Sequence, residues 1–314
     1  MIEAAPLHDE IARGPEGGVA FWLRTADRVR IRFGLWPKAG AKGTVFLLPG
    51  RTEYVEKYGP AAAAFARRGY AMLAVDWRGQ GLADRPAHDP MQGDVVEFGD
   101  YQRDFDAVLA AATELDLPRP WVILGHSMGG AIGLRRVMEE HPFAACAFSA
   151  PMWAIGLPRL IQPIGPFVAR MLRTSPLATH YPPGFSRKSY VPSAPFADNK
   201  LTTDAEMWAF MLTHLQAVPA LALAGPSYRW VCEGILECAA LDALPSPDLP
   251  CYCALGGNER IVATHWVHER MKRWPKGRLE IFEGAEHELM MESPARQARF
   301  FDACTALFDR AGSS

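Results

Sequence analysis

The chain lacks any apolar run long enough to cross a bilayer. Each hydrophobic stretch is broken by Pro, Gly or a charge well short of about 20 residues. It also lacks a surplus of either charge: 33 Lys and Arg face 35 Asp and Glu, a net −2. That balance removes the electrostatic case for nucleic acid or an anionic membrane as an obligate partner. Cysteine is scarce, six in 314 residues, with no CxxC pair. Neither a disulfide framework nor a structural zinc site is therefore expected. Cys251 and Cys253, in "LPCYCALGG", share one face of an expected strand and read as buried reduced thiols. The first residues, "MIEAAPLHDEIARG", carry acids and no apolar core of a secretory signal, so the expected location is the cytoplasm. There is no P-loop, no GxGxxG after a strand and no HExxH; "HELMM" lacks the second His. No cofactor and no metal are expected.

What is present is a βαβ alternation. The length allows one large α/β domain with an insertion, whose core needs no covalent staple. "GGVAFWLRT" and "RVRIRFGLW" read as an opening strand pair, and "GTVFLLPG" as a strand buried on both faces. "YGPAAAAFARRG" is helical, "YAMLAVDW" a strand, "VVEFGDYQRDFDAVLAAATEL" a helix, "PWVILGHS" a strand and "MGGAIGLRRVMEEH" a helix. "FAACAFSAP" is a further strand. After Ala150 the style changes to Pro, Met and aromatics, which disfavour a long helix or a central strand. One helix stands out there, with Thr203 and Glu206 as a capping-box pair and Trp208, Met211 and Leu215 on one stripe. Alternation resumes at "LPCYCALGG", with a helix from Thr264 to Trp274, the strand "GRLEIFEG" and a terminal helix from Pro294. The expected organisation is an α/β core at 1–150 and 231–314, mostly parallel and flanked by helices, with a mainly helical cap inserted at 151–230.

The chemistry centres on "WVILGHSMGGAIGL". Ser127 lies between Gly125 and Gly129 where a strand becomes a helix, the context of a nucleophile elbow. Small residues suit the close approach of strand and helix, and the Met128 N–H would sit at a helix N-terminus, suited to a developing oxyanion. Such a serine needs a base. Of nine histidines, His126 points away within the elbow, His141 closes a helix, His180 and His214 belong to the cap, and His265 with His268 reads as solvated surface. His287, in "FEGAEHELMMES", follows the last strand, at the edge where open α/β sheets gather catalytic groups. Glu259, in "ALGGNERIV", is the acid at the end of the preceding strand, with Glu283 and Glu286 as competitors. The order Ser127, Glu259, His287 is the one this architecture uses. Arg51, after Pro49-Gly50, is the candidate second oxyanion donor through its backbone N–H. Its guanidinium would pair with Glu53 or with an anionic substrate group. Asp76, in "DWRGQGLADR", is expected to bond backbone or Arg78.

The set "LLPGRTEYVEKYGP", "VDWRGQGLADR", "GHSMGG", "GGNERIV" and "GAEHELMMES" resembles the serine-hydrolase branch of the α/β-hydrolase superfamily that contains lysophospholipases and monoacylglycerol lipases, and within it the bacterial lysophospholipase L2 type. The resemblance spans roughly residues 20 to 310. It implies Ser127 as nucleophile, His287 as base, Glu259 as acid, and Arg51 and Met128 as oxyanion donors. It departs from the commoner pattern at Pro49, where many relatives carry His, and at Glu259, where many carry Asp. The implied activity is hydrolysis of a monoacyl lipid ester, a small amphiphile, with transient membrane-surface contact. Acyl transfer, peptide hydrolysis and non-catalytic binding are the alternatives on the same fold. Trp153, Phe167, Met171, Trp208 and Met211 of the cap suggest, as a group, an apolar acyl channel over Ser127; taken singly, each reads as packing.

Overall fold

A computed structural model of the chain describes residues 2–156 and 162–312. In chain order its strands and helices are β1 (Glu3–Ala5), α1 (Asp9–Ala12), β2 (Val19–Arg24), β3 (Arg30–Trp36), β4 (Thr44–Leu48), α2 (Gly59–Arg67), β5 (Ala71–Asp76), α3 (Asp100–Glu114), β6 (Trp121–His126), α4 (Met128–Val137) and β7 (Phe143–Ser149). There follow α5 (Gly165–Leu172), α6 (Tyr190–Ser193), α7 (Ala205–Ala217), α8 (Tyr228–Asp242), β8 (Cys251–Gly256), α9 (Thr264–Lys272), β9 (Gly277–Phe282) and α10 (Pro294–Gly312).

Among the described residues nine strands form one sheet, ordered β1-β2-β3-β5-β4-β6-β7-β8-β9. The pairs β1–β2, β2–β3 and β3–β5 are antiparallel. Every pairing from β5 through β4 to β9 is parallel. The expected mostly parallel α/β architecture is thus observed. Alternation along each strand divides the core in two. Phe46, Leu48 and Ile123 face a cluster built with residues of α3, α4, α8 and α9. Val45, Leu47, Val122 and Leu124 face one built with α2, α7 and α10. Both faces being covered explains why β4 and β6 read as unbroken apolar runs. Each large side chain so buried contributes roughly 1.5–3 kcal/mol of transfer free energy.

Strand order reverses at β4: the chain passes through α2 to β5 on one side, then through α3 to β6 on the other. The loops after β4 and β6 therefore open a crevice at the carboxyl edge, the position where such sheets bind ligands. Between β7 and β8 the described residues form helices and turns without a strand. Residues 157–161, part of the expected cap, lie outside the described residues. Among the described residues no helix is long and apolar enough to cross a membrane.

Three local expectations need correction. The helix expected from "VVEFGDYQ" begins only at Asp100, because the Glu97–Gly99 turn precedes it. The cap of α7 is not the Thr203–Glu206 pair. Asp204 is the N-cap and its Oδ1 accepts from the Met207 N–H at 2.9 Å. Thr203 instead donates from its hydroxyl to Glu292 at 2.5 Å, and Glu206 pairs with Arg13 at 3.0 Å. Finally, of the two partners expected for Asp76, the backbone is found and Arg78 is not. Asp76 accepts from Arg32 Nε at 2.7 Å and from the Val55 and Leu82 N–H groups at 2.8 Å, while Arg78 binds Asp104 and Asp27.

Candidate active site

Ser127 joins β6 to α4 at φ 50° and ψ −117°, a conformation L-residues rarely hold. Its neighbours enforce it. The Ser127 N–H donates to Ser149 O at 3.1 Å, and Ser127 O accepts from Met152 N at 2.8 Å and Gly130 N at 2.9 Å. A Cβ at Gly129 would overlap the Leu48 carbonyl, and one at Gly125 would lie 2.8 Å from Gly129 O. The two glycines let α4 start hard against β4 and β6. Ser127 is partly exposed while the residues on both sides of it are buried. Met128 opens α4, so its N–H has no intrahelical acceptor.

The loop after β4 passes alongside. A Cβ on Gly50 would be 3.0 Å from Ser127 Cβ. Three bonds fix this loop: Trp77 Nε1 donates to Pro49 O at 3.1 Å, Gln80 Nε2 donates to Gly50 O at 2.8 Å, and the Gly50 N–H donates to Glu53 Oε2. Arg51, next in the chain, sends its guanidinium to Ala224 O at 2.7 Å and not to Glu53. Glu53 is no surface partner: it is 4 % exposed and accepts from Lys57 at 2.7 Å and from Tyr58 Oη.

His287 and Glu259 come together. His287 Nδ1 lies 2.7 Å from Glu259 Oε2, while Glu259 Oε1 accepts from the N–H groups of Ile261 (2.6 Å) and Val262 (3.0 Å). Burial by itself raises the Glu259 carboxyl, but the imidazole and the two N–H groups outweigh it and hold the pKa below the usual value. An ionised Glu259 accepts only, so Nδ1 carries the proton and Nε2 is left as the basic atom. Burial likewise lowers His287, and the Glu259 bond and charge, with Glu288 and Glu53 beyond, reverse the sign: its pKa lies above the ordinary value. The competing acids lie elsewhere. Glu286 pairs with Arg260 at 3.2 Å, and Glu283 supplies its backbone carbonyl to Arg296.

His287 reaches the elbow: its ring centroid is 4.8 Å from that of His126, the residue before Ser127. His126 is buried and donates from Nδ1 to Ser149 O at 3.0 Å; burial lowers its pKa to about 4, so it is neutral. Behind the two rings lies an ion network that the sequence reading missed, in which Lys57 bonds both Glu53 and Glu288. Its signals were the Glu53–Lys57 spacing of four and the acid directly after His287. Ligand atoms of Glu53, His126 and Glu288 lie within 4.8 Å of one another. The Lys57 ammonium already occupies the two carboxylates, which suits an ion network better than a cation site.

The cap residues separate into two groups. Trp153 is 3 % exposed, stacks on Trp274 at 6.0 Å and donates to Gly130 O at 3.1 Å. Trp208 and Met211 are buried in the cluster with α2 and α10, Trp208 against Tyr190 and Phe196. Those three are buried in packing contacts with the core. Phe167 and Met171 are 68 % and 63 % exposed on α5. A surface cavity of about 340 Å³ between Glu97, Arg173 and Glu233 contains none of the residues singled out from the sequence.

The model of the family described as serine aminopeptidase, S33, matches residues 39–294. The chain belongs to that family. Being a member of it, the chain is a serine hydrolase with the α/β-hydrolase fold. Lysophospholipase L2 of Escherichia coli (strain K12) is 29 % identical over 302 residues, covering 91 % of this chain and 86 % of the relative. A probable lysophospholipase L2 of Haemophilus influenzae is 26 % identical over 82 % of this chain and 80 % of the relative. The resemblance seen in the motifs is borne out. A solved structure of monoglyceride lipase from Saccharomyces cerevisiae, with a substrate analogue, superposes with a TM-score of 0.69 at 20 % identity, covering 92 % of this chain and 94 % of that one. At that identity it bears on the fold of the family member and not on its substrate.

Proposed function

We propose that this hydrolase cleaves monoacyl lipid esters, lysophospholipid or monoacylglycerol, through Ser127, His287 and Glu259. The observation that carries the reading is the 2.7 Å contact between His287 Nδ1 and a Glu259 carboxylate, in a loop whose imidazole packs against the elbow of Ser127. In this mechanism His287 Nε2 takes the Ser127 proton as Oγ attacks the acyl carbon. The N–H groups of Arg51 and Met128 hold the oxyanion, and Glu259 stabilises the imidazolium. The proton then passes to the leaving alcohol as the C–O bond breaks. Water, deprotonated by His287, attacks the acyl-enzyme and regenerates the serine. Phe167 and Met171, apolar and exposed, are the cap residues we assign to the acyl chain and to passing contact with a lipid surface. Six free, buried cysteines suit a reducing compartment, and we place the enzyme in the cytoplasm.

The test is labelling of Ser127 by a fluorophosphonate, followed by turnover of a chain-length series of p-nitrophenyl esters beside an aminoacyl-peptide. Labelling, with activity rising toward longer acyl chains, is expected. Preferential peptide cleavage would move the enzyme to the peptidase reading, and absence of labelling in folded protein would remove the nucleophile.

A further inference from the structure

We propose that the Arg51 guanidinium is the phosphate-recognition element of the substrate site, so that the enzyme prefers lysophospholipids to neutral monoacyl esters. This rests on the proposed ester hydrolysis at Ser127. Arg51 follows Gly50, the residue that abuts Ser127. Its side chain runs into the seam between the 91–95 loop and the 222–230 segment. There Nη1 donates to Ala224 O at 2.7 Å, and the guanidinium carbon stands 5.6 Å from the Trp230 ring centroid. A Cβ at Gly93 would come within 3.2 Å of Nη1, so a bare glycine keeps that wall open for the side chain.

Among the described residues no carboxylate pairs with this cation, and the nearby acids are committed. Glu53 serves Gly50 N, Lys57 and Tyr58. Asp94 serves Ser227 at 2.7 Å and Arg229 Nε at 3.0 Å. Arg85, another arginine without a carboxylate, spreads its donors over the carbonyls of Gly81, Pro90, Ala220 and Ala222. Arg51 uses one. Half-buried and without a counter-charge, the guanidinium has its pKa drawn down to about 10 by desolvation. A guanidinium held there by a carbonyl and a ring, with no carboxylate, keeps its charge open to an anion that arrives with the substrate. Its planar fork fits two phosphate oxygens at once. In a lysophospholipid the phosphate is a glycerol length from the scissile ester, a span that one arginine side chain reaches from the oxyanion loop. A monoacylglycerol offers nothing charged there. One residue thus serves with its backbone at the reacting carbonyl and with its side chain at the head group.

The experiment measures kcat and KM for lysophosphatidylglycerol and for a monoacylglycerol of the same chain, both in neutral detergent micelles. Wild type, Arg51→Gln and Arg51→Lys are compared, with fluorophosphonate labelling in parallel. The lysophospholipid-to-monoacylglycerol ratio of kcat/KM is expected to fall about tenfold in Arg51→Gln, mainly through KM, and to recover in part in Arg51→Lys. In wild type, added salt should raise KM for the lysophospholipid more than for the monoacylglycerol, a measurement that needs no variant. An equal loss on both substrates, or a wild type whose lysophospholipid KM ignores salt, overturns the proposal. A wild type that labels and cleaves monoacylglycerol but not lysophospholipid overturns it too, leaving hydrolysis standing. A folded wild type that neither labels nor cleaves any ester removes the hydrolase reading itself, and the Arg51 assignment with it.

Discussion

At φ 50° and ψ −117° the backbone of Ser127 stores roughly 1–3 kcal/mol of strain, which the packing of β6 and α4 repays. Alanine meets the same strain, so Ser127→Ala should leave Tm nearly unchanged while abolishing ester turnover, as read by calorimetry beside a p-nitrophenyl ester assay. Glu259→Gln removes the charge that holds the His287 tautomer, and kcat should drop about 10⁴-fold, whereas Glu286→Gln should be mild. The pH profile follows from the same pair. In the proposed mechanism His287 acts as a base only when neutral, and its pKa is raised, so kcat/KM should climb with pH through a midpoint above 6.5. In Glu259→Gln that midpoint should move down, as a pH series on the residual activity would show. The linked stability has the opposite sense. A raised folded pKa means this pair favours the fold below pH 6.5, and the contribution is lost as pH rises through the folded value.

At the scale of elements, α7 offers a direct test, since Asp204→Ala removes the acceptor for the Met207 N–H and should cost about 1 kcal/mol in urea unfolding. Thr203→Ala would leave that bond in place. The misreading there is instructive. Thr203 and Asp204 are both good caps, and only the pull of Glu292, 89 residues away, decides between them. The same holds for Asp76 and Arg78, two residues apart at the end of β5 yet assigned to different partners by elements that meet far along the chain. By contrast β4, β6 and the glycine-flanked Ser127 were legible because their causes are local: runs of apolar residues and a turn that tolerates no side chain at Gly129. Glu259 and His287 were legible as positions in an order of strands, and their contact follows from β8 and β9 being parallel neighbours. The Lys57 network was not legible, since a charged residue in "EYVEKY" looks solvated until the fold closes over it. Lys57→Met should destabilise by about 3–5 kcal/mol, because Glu53 and Glu288 would then face each other without a cation.

For the whole molecule, acid should be the effective denaturant. Glu53 is held near a pKa of about 2, against burial, by the Lys57 ammonium and the Tyr58 hydroxyl, so the stability it contributes is present above pH 4.5 and lost as pH falls toward 2. Thermal scans across that window should show Tm falling steeply, and Glu53→Gln should flatten the fall. Dithiothreitol, in contrast, should leave Tm unchanged, since all six cysteines are free and buried. The strand order has one more consequence. β4 and β6 lead into the Gly50 loop and Ser127 and lie at the middle of the sheet, whereas Glu259 and His287 follow β8 and β9 at its far edge. During synthesis, a chain that has emerged only through β7 holds Ser127 without Glu259 or His287. Parallel strands joined over long separations are slow to pair. If the proposed triad holds, a nascent chain of this design stays chemically silent until its last strands dock.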